Sequence, residues 1–180
     1  LAHPEIDAVA VVLRVPTHYQ ITKDALNAGK HVYTEWPLGK TTEEAIELAA
    51  LAKEKGVRVI VGLQARAAPA ILHMKQLVED GYVGEILSCS MRLIRGGVLE
   101  RVSGRTWQRD VELGANTLTI AAGHSIDALR FVAGEFGEVS ALVSTQVDQW
   151  YETDTQEMRD VTSPDNILVH GRLANGAVVS

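Results

Sequence analysis

Apolar and β-branched residues crowd positions 7–15 (DAVAVVLRV), a run that predicts a strand buried on both faces of a sheet. Pro16 and Thr17 interrupt it, and Thr17 is placed to cap a helix over about 18–28 that stops at Gly29. Residues 31–34 (HVYT) predict a second, short strand. Thr41-Thr42-Glu43-Glu44 then reads as a capping box. Thr41 accepts from the backbone three residues on, and Glu44 reaches back. The helix it opens runs to Lys55 and ends at Gly56, and 57–63 (VRVIVGL) predict a third strand. Parallel strands joined by helical crossovers imply a doubly wound open sheet, whose ligands bind at the strand carboxyl ends. Those ends carry Arg14 to His18, Glu35 to Pro37 and Gln64 to Arg66.

The pattern changes after about residue 65. A helix is predicted from Pro69 to Asp80, closed by Gly81, and the alternation in 85–95 (EILSCSMRLIR) predicts a strand. Glycines and charges over 96–114 read as loop. A helix is expected over about 116–132, with a break near Gly123. Residues 138–148 and 166–173 read as strands, and Asn175-Gly176 as a hairpin turn. This half is expected to be a mostly antiparallel α+β domain, so the chain divides into 1–65 and 66–180.

Composition narrows the function. The chain has 180 residues, is 46% hydrophobic and carries a formal charge of −6. No Lys/Arg block offers a phosphate-binding surface, so nucleic acid is not an expected partner. No apolar run reaches the roughly 18 residues of a membrane span. Cys89 is the only cysteine, which points to a reducing, cytoplasmic setting. The chain opens without Met and stops just after a turn signal, so it reads as a fragment of a longer protein.

The candidate chemistry is sparse. No G-x-G-x-x-G or P-loop pattern occurs, and the histidines lack metal-ligand spacing. His124, in GANTLTIAAGHSIDALRF, follows a glycine and precedes an apolar helical pattern. Asp127 lies three residues on, within reach on the same helix face.

The stretches HPEIDAVAVVLRVPTHYQITKDALNAGKHVYTEWPLGKTTEEAIELAALAKEKG, VIVGLQAR, GYVGEILS and GHSIDALRF resemble the glucose–fructose oxidoreductase / inositol dehydrogenase (Gfo/Idh/MocA) family. The resemblance implies an α/β chain, a truncated Rossmann-type parallel sheet followed by part of an α+β domain with a mostly antiparallel sheet. It also implies NAD or NADP as cofactor, a sugar or polyol as small-molecule ligand, and homo-oligomers when full length. The absent glycine loop then belongs to a βαβ unit before residue 1. Arg14, Pro16, Thr17, His18, Glu35, Trp36, Pro37 and Gln64 are the implied cofactor-binding positions, and His124 the implied catalytic one. The family's usual turn is Glu-Lys-Pro, whose lysine moves the substrate hydroxyl proton; here Trp36 stands in its place, and Ile120 occupies the position of a family Asp. An indole N–H donates only and does not titrate near neutral pH. EWPLG together with GANTLTIAAGH resembles a branch that includes a fungal galactose-regulon repressor. For that branch a dinucleotide-dependent regulatory protein with a protein partner, and no turnover, is the alternative to an oxidoreductase.

Overall fold

The computed structural model describes residues 3–97 and 99–180, in two compact units. The first unit contains the residues up to Gly62 together with Asp110–Ala115; the second contains Leu63–Arg109 and Asn116–Ser180.

The first unit is a parallel sheet of order β1-β2-β3, from Ala8–Val11, His31–Glu35 and Val59–Gly62. Helices α1 (His18–Asn27) and α2 (Thr42–Lys55) make the crossovers. Alternate strand residues point to the helices, and Val11, Ala25, Leu26, Val32, Leu48 and Ala52 form the core. β1 is therefore half-covered within this unit, not buried on both faces: Ala8 and Ala10 stay exposed, as do Tyr33 and Ile60 on neighbouring strands. β1 is also shorter than its apolar run, because the chain turns into a 3-10 turn at Val15–Thr17. Thr41 caps α2 as its sequence predicts, accepting from Glu44 N at 3.2 Å, and Glu44 reaches back to Lys40 N at 2.6 Å. Gly56 ends α2 in the left-handed conformation, where glycine meets no Cβ penalty.

The second unit opens with α3 (Pro69–Glu79). The strand expected over 85–95 shrinks to β4 (Ser88–Cys89), which pairs with β10 (Val178–Val179). Alternation supplies a face, but a strand also needs a partner, and Leu93 and Ile94 remain exposed. The expected loop over 96–114 contains β5 (Glu100–Arg101) and 3-10 turns over Ser103–Arg109 and Val111–Leu113. After α4 (Gly123–Ala133) come β6 (Phe136–Ser144), β7 (Gln149–Glu152), β8 (Glu157–Asp160) and β9 (Asn166–Leu173). One sheet has order β4-β10-β9-β6 and the other β5-β7-β8. The strand expected over 138–148 is β6, which starts two residues earlier and stops at Ser144, and β7 lies beyond the expected range. β8, rich in charge, gave no apolar signal, because its hairpin is held by polar groups. Buried Glu152 accepts from Thr106, from Thr155 Oγ1 at 2.8 Å and from Arg159 Nε at 3.0 Å. These bonds, that from Thr106 first, hold its carboxyl below the usual range.

Gly171 explains itself by space. A Cβ there would lie 2.1 Å from the Glu138 carbonyl oxygen, next to the irregularity between Phe136 and Glu138 in the β6–β9 pairing. Gly171→Ala should destabilise the protein by about 1–3 kcal/mol, read as a lowered urea midpoint; an unchanged midpoint contradicts this packing. The Glu152 network sets a pH dependence. A carboxyl whose folded pKa is depressed stabilises above its unfolded value, about 4.3, and loses that contribution as pH falls through the folded value. Stability should therefore fall in that acid window, and Glu152→Gln should flatten the fall; equal acid slopes in both proteins would refute the role.

Candidate functional site

The strand carboxyl ends of the first unit converge through one buried side chain. Arg14 leaves β1 in extended backbone, and Pro16 sits in the first turn of the 3-10 segment. Thr17 does not cap α1. Its hydroxyl donates back to the Arg14 carbonyl at 2.8 Å, because the 3-10 turn has already directed it there. His18, 1% exposed, opens α1. Its Nδ1 lies 2.8 Å from the carbonyl oxygen of Pro37, and its Nε2 lies 3.0 Å from that of Leu13. Both partners only accept, so each contact is a hydrogen bond when the facing ring nitrogen carries the proton. The imidazole thus ties the turn after β1 to the turn after β2, and brings residues 14–18 beside 35–37.

The second turn is fixed from both sides. Thr34 is fully buried in β2, Glu35 pairs with Gly62 of β3, and the Trp36–Pro37 peptide bond is cis. Pro37 is buried, while Glu35 and Trp36 are half-buried. At Gly39 a Cβ would sit 2.9 Å from the Glu44 side chain, which folds over the loop to reach Lys40 N. The segment 110–115 closes on the same loop: a Cβ on Gly114 would lie 2.8 Å from Lys40 Cα. The turn therefore presents an acid and an indole on a backbone held at both ends.

Gln64 and His124 belong to the second unit. Gln64 is exposed in a 3-10 turn, Gln64–Ala67. His124 is half-buried in the first turn of α4 and has no hydrogen-bond partner among the described residues. Ahead of it, Thr117–Ala122 wind as a π-helical turn, capped by Asn116, whose Oδ1 accepts from Leu118 N and Thr119 N at 3.0 and 3.1 Å. The break expected near Gly123 is this change of winding, and π turns recur at functional sites.

Asp127 does not orient His124. Its buried carboxylate is gripped by Arg66, from Nε at 2.9 Å and from Nη2 at 2.6 Å, in a bidentate pair that raises the guanidinium pKa. Arg66 also stacks 5.2 Å from the Phe131 ring centroid. The pair joins residues 61 apart, so sequence spacing carried no sign of it. Among the described residues no group of three His, Cys, Asp or Glu side chains is arranged to hold a metal.

The family model described as Gal80p, C-terminal domain, matches residues 69–180, and that described as oxidoreductase family, NAD-binding Rossmann fold, matches 1–63. Dehydrogenase aclE of Aspergillus oryzae is 34% identical over 176 residues, 94% of this chain and 48% of that protein. The galactose/lactose metabolism regulatory protein GAL80 of Kluyveromyces lactis is 29% identical, over 98% of this chain and 42% of that protein. The structure of levoglucosan dehydrogenase in complex with NADH and L-sorbose superposes with a TM-score of 0.87 at 30% identity, covering 98% of this chain and 47% of that one. The chain spans about half the length of the curated relatives it matches.

The His18 tie has a measurable weight. His18→Ala should lower stability by about 2–4 kcal/mol, combining a cavity with carbonyls left unpaired, by chemical denaturation. His18→Asn, which restores one donor, should recover part of it; a loss below about 1 kcal/mol for the alanine variant would mean the ring is not the tie described.

Proposed function

Because the chain belongs to the Gfo/Idh/MocA oxidoreductase family, in its Gal80-like branch, we infer that it forms part of an NAD(P)-binding oxidoreductase acting on a sugar or polyol. The reading rests on the turn at Glu35–Pro37, held by His18 at the carboxyl edge of a parallel sheet, where such folds take their ligands. The residues present suit the nicotinamide end of a dinucleotide: exposed Arg14 and Thr17 lie in the turn after β1, and a half-buried indole stands on the turn that His18 joins to it. No described residue forms a glycine-rich pyrophosphate cradle. NAD(P) when bound supplies the hydride acceptor.

The chain's own residues then have separate tasks. Trp36 offers an aromatic face for stacking and excludes water, but it takes no proton from an alcohol. His124 carries the only acid–base role that the family resemblance leaves in place. No described carboxylate holds its ring, so substrate contacts orient it.

A second reading is favoured by two observations. The family resemblance puts Trp36 where a proton-transferring lysine is usual, and Asp127, the nearest carboxylate in sequence to His124, is committed to Arg66. A dinucleotide-dependent regulatory protein needs neither group, and GAL80 of Kluyveromyces lactis is a regulatory protein of similar sequence.

One experiment separates them. Intact protein is offered NAD or NADP with a panel of sugars and polyols, and reduced nicotinamide is followed spectroscopically. The oxidoreductase reading expects turnover that His124→Asn reduces by about 10²–10⁴ and that Trp36→Lys raises modestly. Dinucleotide binding without turnover on any substrate, unaltered in Trp36→Lys, establishes the regulatory reading instead.

A further inference from the structure

Most of the strongly engaged arginines in this chain have carboxylate partners: Arg66 with Asp127, Arg130 with Glu135, Arg159 with Glu152, Arg172 with Glu138. Arg95, Arg101 and Arg105 are different. All three line one cavity of about 320 Å³ within the second unit. Among the described residues none of them has a carboxylate at ion-pairing distance. In a chain of net charge −6, three guanidiniums around one cavity outnumber the two carboxylates that line it, Glu100 and Asp165, and among the described residues none is held in an ion pair, so the lining keeps a net positive charge that suits an anion.

Arg101 anchors the group. Its Nη1 donates to Gln108 Oε1 at 3.0 Å, and its guanidinium stacks 4.2 Å from the centroid of the Trp150 ring. Trp150 is itself buried, so this arginine is held in place before any ligand arrives. Its Nε is buried with no acceptor, an arrangement that leaves a donor unsatisfied. Burial, and then the positive charges of Arg95 and Arg105, which line the same cavity, push its pKa down.

The rest of the lining sets the kind of ligand. Gly96 and Gly97 add no side-chain bulk, and Thr117 contributes a hydroxyl. Two carboxylates also face the cavity. That of Asp165 is already engaged, accepting from Gln146 N at 3.0 Å, Val147 N at 2.7 Å and Asn166 Nδ2 at 2.8 Å. Glu100 is exposed and remains available as an acceptor for hydroxyl donors. The volume lies at the small end of the roughly 300–1,000 Å³ typical of ligand sites, which suits a single ring or a short polyol. Guanidinium forks match the planar oxygens of carboxylate and phosphate.

We propose that Arg95, Arg101 and Arg105 bind the oxyanion of a small polyhydroxylated ligand, the carboxylate of a sugar acid or the phosphate of a sugar phosphate, with Thr117 and Glu100 meeting its hydroxyls. Arg101 is the preset member, and Arg95 and Arg105 close on the anion from the flanking loop and turn.

The test is calorimetric titration of the intact protein, without dinucleotide, against D-gluconate, D-glucose 6-phosphate and uncharged D-glucose. At least one of the two anions should bind ten times more tightly than glucose or better, and weaken as salt rises; the tighter of the two identifies carboxylate or phosphate as the group read. Arg95→Gln and Arg105→Gln should each weaken that binding by about tenfold or more while leaving the thermal midpoint unchanged. Arg101 is left intact, because its stacking on Trp150 would mix stability into the result. Anions binding no better than glucose, or unaltered affinity in both glutamine variants, overturns the site. No turnover enters this measurement, so its failure is separate from any failure of hydride transfer.

Discussion

A single imidazole joins the turns at the strand carboxyl ends of the first unit. Two parallel strands end in turns that carry polar backbone into the same space, and nothing in a β-ladder fixes how such turns meet. His18 does so by standing at the first residue of α1 and facing carbonyl oxygens on both sides, Leu13 after β1 and Pro37 after β2. Because it is buried, those bonds do not compete with water. The position of the indole beside it follows: Trp36 is on a turn whose next residue is anchored, and whose later residues are locked by Glu44 folding over Lys40.

The second unit uses charge in two ways. Some ionic groups are structural and fully satisfied, such as Glu152 among Thr106, Thr155 and Arg159, or Asp127 under the fork of Arg66. Removing one partner from such a group strands the other in a buried place. The arginines around the cavity at Arg101 form no such closed set. That contrast separates charges that hold the fold from charges available to a ligand, and it does so without reference to any relative.

Family membership does not by itself fix the chemistry here. The Rossmann-type and Gal80-like matches establish the ancestry of the two halves. They do not supply a proton acceptor at Trp36 or a carboxylate beside His124. In a fold of this family, the turn at Glu35–Pro37 and the π-helical turn before His124 are compatible with more than one function.

The sequence by itself determined the parallel βαβαβ order, the capping of α2, the glycine stops, α3, and the β9–β10 hairpin at Asn175-Gly176. Each is written in neighbouring residues, as a hydrophobic period, a cap or a required backbone conformation. It also marked 14–18 and 35–37 as strand ends belonging to one edge. Only the tertiary structure decided that 85–95 pairs over just two residues, since a ladder depends on what lies alongside. It decided that Thr17 turns back to Arg14 rather than capping α1, that polar β8 is a strand, and that Asp127 serves Arg66 instead of His124. It gathered Arg95, Arg101 and Arg105 around one cavity, with Trp150 beneath the second of them. These are contacts between residues far apart in the chain, and their partners are chosen by packing, which no local pattern encodes.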